Sequence, residues 1–242
     1  MPSNHEVRKA YWRLRDDRYL GETENRLRSA ELALHELERH ARPTQGPLLD
    51  VGCSVGLLLQ VALAHGWDAW GVEPSGWLSD QARQRVGSRV YTAPFEEVDL
   101  EGRKFGAITL MDVLEHVHDP QAFLRHARDQ LLPGGIVMLN VPRRDSLVAR
   151  ALGRRWPLLL PEHLYYFTLP STRQLLERAE LDLIRVRPHP VFFSAGYVLE
   201  RLIQHGWPGA TAAARLARLA GAQHARVPLF MGEMTVVARA RG

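Results

Sequence analysis

The sequence predicts an α/β fold: a mostly parallel sheet with helices packed on both faces. Between residues 48 and 141, short apolar runs alternate with longer segments of helical periodicity. The runs are continuously apolar, the pattern of strands buried on both sides. The first of them opens onto a turn of small residues and then a helix, the junction at which such sheets bind ligands.

Residues 5–40 read as helix, because Leu27, Ala30, Leu32, Ala33, Leu34 and Leu37 fall at helical spacing without Pro or Gly after residue 22. Arg42-Pro43-Thr44-Gln45-Gly46-Pro47 ends it. Leu48–Val51 is a strand, Gly52–Gly56 a turn and Leu57–His65 a helix. Trp67–Val72, Arg89–Tyr91 and Phe105–Met111 follow as strands, with a helix at Ser79–Val86 and another at Pro120–Leu131. Pro133-Gly134-Gly135 turns the chain into a fifth strand, Ile136–Val141.

After Pro142 the alternation stops. A short helix is expected at Leu147–Leu152, then an aromatic and proline-rich stretch from Trp156 to Phe167. A helix capped by Ser171 or Thr172 turns Leu175, Leu176 and Ala179 inward. Leu181–Val186 reads as strand and residues 193–225 as helix interrupted at Gly206–Gly209. Met234–Ala238 is expected to close the chain as an edge strand.

The 242 residues suit one domain. Lys plus Arg total 31 against 27 acidic residues, a formal charge of +4 spread without a run of five like charges. Such dispersed arginines are solvated helix faces rather than a nucleic-acid footprint. A lone cysteine, Cys53, excludes an internal disulfide and points to a reducing, cytoplasmic setting. No stretch approaches the roughly 20 apolar residues of a membrane span, and the polar N-terminus lacks a signal-peptide core.

Chemistry concentrates at Asp50-Val51-Gly52-Cys53-Ser54-Val55-Gly56, with Glu73 at the end of the next strand. That carboxylate stands where α/β nucleotide-binding folds accept two hydrogen bonds from a ribose diol. A dinucleotide site wants G-x-G-x-x-G, but Ser54 takes the second glycine position, and Asp50 would repel a pyrophosphate. The turn fits a cationic nucleoside better, which leaves nicotinamide-dependent oxidation as a disfavoured alternative.

Asp50–Gly56 resembles the first motif of class I S-adenosylmethionine-dependent methyltransferases, D-x-G-x-G-x-G, with Ser54 for the middle glycine. Gly71-Val72-Glu73-Pro74-Ser75 resembles the second motif. Phe105–Val117 resembles the fourth strand with its following segment, and Leu132-Pro133-Gly134-Gly135 the turn before strand five. Leu114–Pro120 and Pro161–Phe167 are similar to the bacterial branch that includes ubiquinone-type O-methyltransferases.

The resemblance implies a Rossmann-like sheet of seven strands in the order 3-2-1-4-5-7-6, strand 7 antiparallel, with a helical cap. It implies one domain over 1–242: a helical segment 1–45, a cofactor core 46–142, and cap insertions at 143–170 and 190–228. S-adenosylmethionine would be held by Asp50, Gly52, Cys53, Ser54, Gly56, Glu73, Pro74, Ala93, Phe95, Met111, Asp112 and Leu114. Relatives often place an aspartate against adenine; here backbone near Ala93 and Phe95, with the Phe95 ring, would serve instead. If the acceptor is a hydroxyl, His163 and His116 are the candidate bases. Asp112, Glu115 and His116 raise a divalent metal, but local capping by Glu115 and cofactor contact by Asp112 is the reading adopted, with no metal assigned. Cys53 reads as packing, and Tyr165, Tyr166 and Phe167 as the core of a lid. The acceptor expected is a small molecule, glycan or lipid-linked intermediate, with no nucleic acid; peripheral membrane contact, monomer and homodimer all stay open. A cofactor-binding scaffold without catalysis is the competing function.

Overall fold

A computed structural model describes residues 23–204 and 206–241. Helix α1 is Thr23–Leu37; the earlier part of the expected 5–40 helix lies outside the described residues. Then follow β1 (Leu48–Val51), α2 (Leu57–Ala64), β2 (Ala69–Val72), α3 (Gly76–Val86) and β3 (Val90–Tyr91). β4 (Phe105–Met111), α4 (Pro120–Asp129) and β5 (Leu131–Pro142) complete the alternating part. Beyond it lie α5 (Leu147–Leu152), α6 (Leu169–Arg178), β6 (Leu181–Pro188), β7 (Val191–Ser194), α7 (Ala195–Gln204), α8 (Ala210–Leu219), β8 (Arg226–Leu229) and β9 (Glu233–Ala240).

The main sheet has seven strands in the order β3-β2-β1-β4-β5-β9-β6. β1 to β5 pair in parallel, and β9 runs antiparallel to both its neighbours. Both faces are dry, as the apolar runs require. Along β5, Val137, Leu139 and Val141 join one apolar cluster with Phe123 and Leu124 of α4 and Leu176 of α6. Ile136 and Met138 point the other way, to Leu34 and Leu37 of α1, Leu58 and Leu59 of α2, and Ala82 of α3. This two-residue alternation between two buried faces makes a three-layer sandwich. α1 is also tied to β6 by charge: Glu36, 2% exposed, meets Arg185 at 2.9 Å and Arg187 at 2.6 Å.

Three expectations need correction. β9 is not an edge strand, because β6 pairs along its outer side. The segment 193–225 is not helix alone: β7 and β8 form an antiparallel ribbon that closes the base of α7 and α8. The cap of α6 is Thr168, not Ser171 or Thr172. Its hydroxyl accepts from the Ser171 N–H, and Ser171 Oγ accepts in return from the Thr168 N–H. Pro170 in the first turn suits this earlier start, since it needs no amide partner there.

Thr168→Ala removes one half of this reciprocal cap and is expected to lower stability by about 1 kcal/mol. The denaturation midpoint should fall with an unchanged slope, and a midpoint equal to wild type would show that the cap contributes nothing.

Candidate cofactor and acceptor site

The chain builds outward from β1 to β3 and then resumes at β4 on the other side of β1. The rim beyond the carboxyl ends of β1 and β4 is therefore the switch point at which open α/β sheets bind ligands.

The expected turn lies there. Gly52 and Gly56 have φ of 73° and 79°. A Cβ on Gly52 would fall 2.7 Å from Val113 Cγ2, and one on Gly56 3.1 Å from Ala82 Cβ, so both backbones pass too close for a side chain. Ser54 holds φ at 50°, a left-handed conformation that costs an L-residue about 1–2 kcal/mol. Its N–H donates to Glu73 Oε2 at 2.9 Å, and the Ser75 N–H donates to Oε1 at 2.8 Å. Gly52 and Cys53 both donate to the Val72 carbonyl, so turn and Glu73 form one unit across the ends of β1 and β2. Asp50 sits one row deeper, beside Gly71 and Thr109. Pro74 is half-buried behind Glu73. Cys53 is buried, and its Sγ fills the space a side chain at Gly71 would need. Burial, Asp50 and Glu73 push its thiol well up, so it serves as packing.

On the adenine side, Ala93 is half-buried, while the Phe95 ring is committed to the core against Phe123 and His126. At the end of β4, Asp112 has φ of 56° and its Oδ1 accepts from Asn140 Nδ2 at 2.5 Å. Met111 is half-buried beside it, and Leu114 is fully buried, leaving only its backbone to the rim.

The aromatic stretch is stitched onto the turn after β4. Leu164 and Tyr165 N–H groups donate to the Glu115 carbonyl, and the Tyr165 hydroxyl donates to the His118 carbonyl at 2.8 Å. Of the three expected lid-core rings, Phe167 is buried in the main core and Tyr166 packs partly buried against Trp156, whereas Tyr165 stays 40% exposed. Trp156 is anchored through Nε1 to the Met231 carbonyl. This stitching brings the two candidate bases together, their rings 4.9 Å apart and nearly perpendicular. His116 Nδ1 lies 3.0 Å from the Glu162 carbonyl, and His163 Nδ1 lies 3.0 Å from the Leu158 carbonyl. A carbonyl only accepts, so both Nδ1 atoms carry the proton and both Nε2 atoms present a lone pair. Glu115, His116 and His163 place one ligand atom each within 4.8 Å of one another, a geometry able to hold a divalent ion. His163 takes the place that the sequence reading gave to Asp112.

Residues not foreseen complete the rim. Glu233 and Thr235 enter from β9, and Asn140 from β5, where it pairs with Thr235. His189 follows β6 and bonds Thr235 Oγ1 at 2.9 Å. The one available signal was an acid heading the last apolar run, and an edge-strand reading hid it.

Several carboxyls gather at the rim, and burial shifts them. Burial raises Glu115 to about 9, assisted by Asp112, and burial with Asp112 holds Glu233 well above the usual range. Burial raises Glu73, opposed by the N–H groups of Ser75 and Ser54. Burial lowers His116, and burial plus His116 lowers His163, so both imidazoles are neutral at neutral pH. Burial raises Asp50 from 3.8 to about 7, against the Thr109 hydroxyl that donates to it at 2.7 Å. Because its folded value is raised, ionised Asp50 destabilises the fold, an effect that grows between pH 4 and 7 and then levels off. Asp50→Asn keeps an acceptor for Thr109 and removes the charge, and is expected to raise stability at pH 8 by up to roughly 4 kcal/mol. Chemical denaturation at pH 4 and pH 8 checks this: a gain equal at both would mean that the charge is not the cause.

Residues 22–186 match the family described as methyltransferase domain. The chain is 30% identical over 161 residues to a ubiquinone biosynthesis O-methyltransferase of Coxiella burnetii, covering 60% of this chain and 68% of that protein. Its fold is similar to an S-adenosylmethionine-dependent methyltransferase from Archaeoglobus fulgidus (TM-score 0.61, 14% identity, 93% of this chain and 100% of that one). It is also similar to the magnesium protoporphyrin IX methyltransferase of Synechocystis with bound S-adenosylhomocysteine (TM-score 0.59, 13% identity, 98% and 94%). The rim fits that cofactor. Gly52 leaves no side chain over the turn, Glu73 is braced as an acceptor, and the buried Oε2 atoms of Glu115 and Glu233 have no hydrogen-bond partner among the described residues. A sulfonium and an ammonium suit such an acidic lining. The chain belongs to the methyltransferase-domain family and is a class I S-adenosylmethionine-dependent methyltransferase.

Proposed function

We propose that the chain methylates a hydroxyl oxygen of a small molecule, glycan or lipid-linked intermediate, with His163 as general base and His116 beside it. The observation that carries this reading is the contact of the His116 and His163 rings, with His163 Nδ1 tied to the Leu158 carbonyl so that Nε2 is its basic nitrogen. Similarity to a ubiquinone biosynthesis O-methyltransferase supports oxygen as the acceptor atom. Exposed Trp207, Leu216 and Leu219 on the 190–228 segment support an acceptor with an apolar, lipid-linked part.

Glu73 would accept the ribose hydroxyls, the Gly52–Gly56 turn would border the nucleoside with Pro74, and backbone at Ala93 and Phe95 would meet the adenine. Asp50, Met111, Asp112 and the Leu114 backbone would border the methionine part. When bound, S-adenosylmethionine supplies a methyl group already activated on sulfur. The protein has only to align the acceptor, exclude water and remove one proton. His163 takes that proton at Nε2, and its Nδ1–H bond to Leu158 holds the ring in the basic tautomer.

Calorimetry with S-adenosylhomocysteine should give micromolar binding that Glu73→Ala abolishes; absence of binding to the wild type would remove the assignment of Glu73. His163→Ala should lower kcat by about 10²–10⁴-fold with cofactor affinity nearly unchanged. Full activity in that variant would exclude His163 as base. Activity should fall with acidification through a midpoint below 6.5, since only the neutral imidazole accepts a proton and burial lowers its value. A flat profile from pH 5 to 8 would contradict a histidine base.

A further inference from the structure

We propose that His35, Glu38 and His65 form a second ion site, remote from the sheet rim, that takes a nitrogen-preferring divalent transition metal such as Zn²⁺. One ligand atom from each lies within 4.8 Å of the others. His35 and Glu38 stand one turn apart on α1, counted to the turn that extends it, and His65 ends α2, so the site spans two helices.

The carboxylate stands between two imidazoles. His65 Nδ1 is 3.1 Å from Glu38 Oε1 and 3.2 Å from Oε2, and His35 Nδ1 is 3.7 Å from Oε2. Zinc bonds of about 2.0–2.1 Å in tetrahedral geometry set ligand atoms roughly 3.3–3.4 Å apart. The observed spacings straddle that value before any rotamer adjusts.

A supporting contact orients the carboxylate. Trp67, 2% exposed, donates its indole N–H to Glu38 Oε1 at 3.2 Å. Metal-binding carboxylates are commonly steadied by such outer partners. The imidazoles remain reachable from solvent, with the His35 side chain 59% and the His65 side chain 32% exposed. Two nitrogens and one carboxylate favour Zn²⁺, Ni²⁺ or Cu²⁺ over Mg²⁺ or Ca²⁺, which prefer all-oxygen shells. A bound ion would clamp α1 to α2, the helix that leaves the Gly52–Gly56 turn, and would stabilise the folded chain by linkage.

The test is calorimetric titration of the chelator-treated full chain with Zn²⁺, alongside thermal unfolding and Co²⁺ absorption. The expected result is saturable Zn²⁺ binding that raises Tm and survives excess Mg²⁺. His35→Ala and His65→Ala, both at the surface, should each weaken it by about tenfold or more. His163→Ala should retain it, which separates this site from the Glu115–His116–His163 group. Binding unchanged in a His35→Ala/His65→Ala double variant, binding lost in His163→Ala, or no binding with Zn²⁺ in millimolar excess would each overturn the proposal.

Discussion

A carboxylate buried at the end of a parallel sheet must be hydrogen-bonded, neutralised by a proton, or matched by a bound cation. The rim shows the first two of these solutions. Glu73 is bonded by two backbone N–H groups, and that bracing joins the turn after β1 to the end of β2. Asp50 has one hydroxyl partner and is left near half-protonated at neutral pH. Glu115 and Glu233 are pushed to protonation by burial and by Asp112. A positively charged ligand bound beside these groups would favour their ionised forms. Residues that lower stability and sit in a crevice are those expected to serve binding.

Two of the four non-glycine residues with positive φ among the described residues lie at this rim. Ser54 and Asp112 occupy left-handed conformations, and they follow β1 and β4, the two strands that flank the switch point. At Ser54 the strain aims an N–H at Glu73; at Asp112 it accompanies a side chain held by Asn140. Each conformation is held by a bond that would be lost if the residue relaxed, which is how packed surroundings keep such geometry.

Much of this was legible because it is local. The five parallel strands were readable from apolar runs bounded by Gly and Pro, and the places of Asp50 and Glu73 in and after the first two strands followed from those runs. By its residues alone Met234–Ala238 reads as an edge strand, since an apolar run records burial but not neighbours; only the family's strand order sets it between strands 5 and 6. Glu233 was missed for that reason: only its register opposite Pro142 brings it to the rim. The β7–β8 ribbon was hidden because Val191–Ser194 and Arg226–Leu229 are four-residue strands separated by two helices. Thr168 was overlooked as a cap because the helix was read as starting at Ser171, whereas it starts at Leu169 with Pro170 in its first turn. The adenine-facing role given to the Phe95 ring also rested on sequence position, and contact with Phe123 and His126 turns that ring into the core.

The histidine pair shows how a tertiary contact makes chemistry from residues 47 apart in the chain. His163 is held by the Leu158 carbonyl of its own segment, whereas His116 is held from across the contact. Glu162, in the lid, supplies the carbonyl that fixes His116, while Glu115, beside His116, supplies the carbonyl that pins Leu164 and Tyr165. The contact that orders residues 161–167 thus also fixes the His116 ring. Burial then removes the charge that would compete for the acceptor's proton. Solvent admitted to both rings would raise their affinity for protons, so burial is what favours their neutral forms.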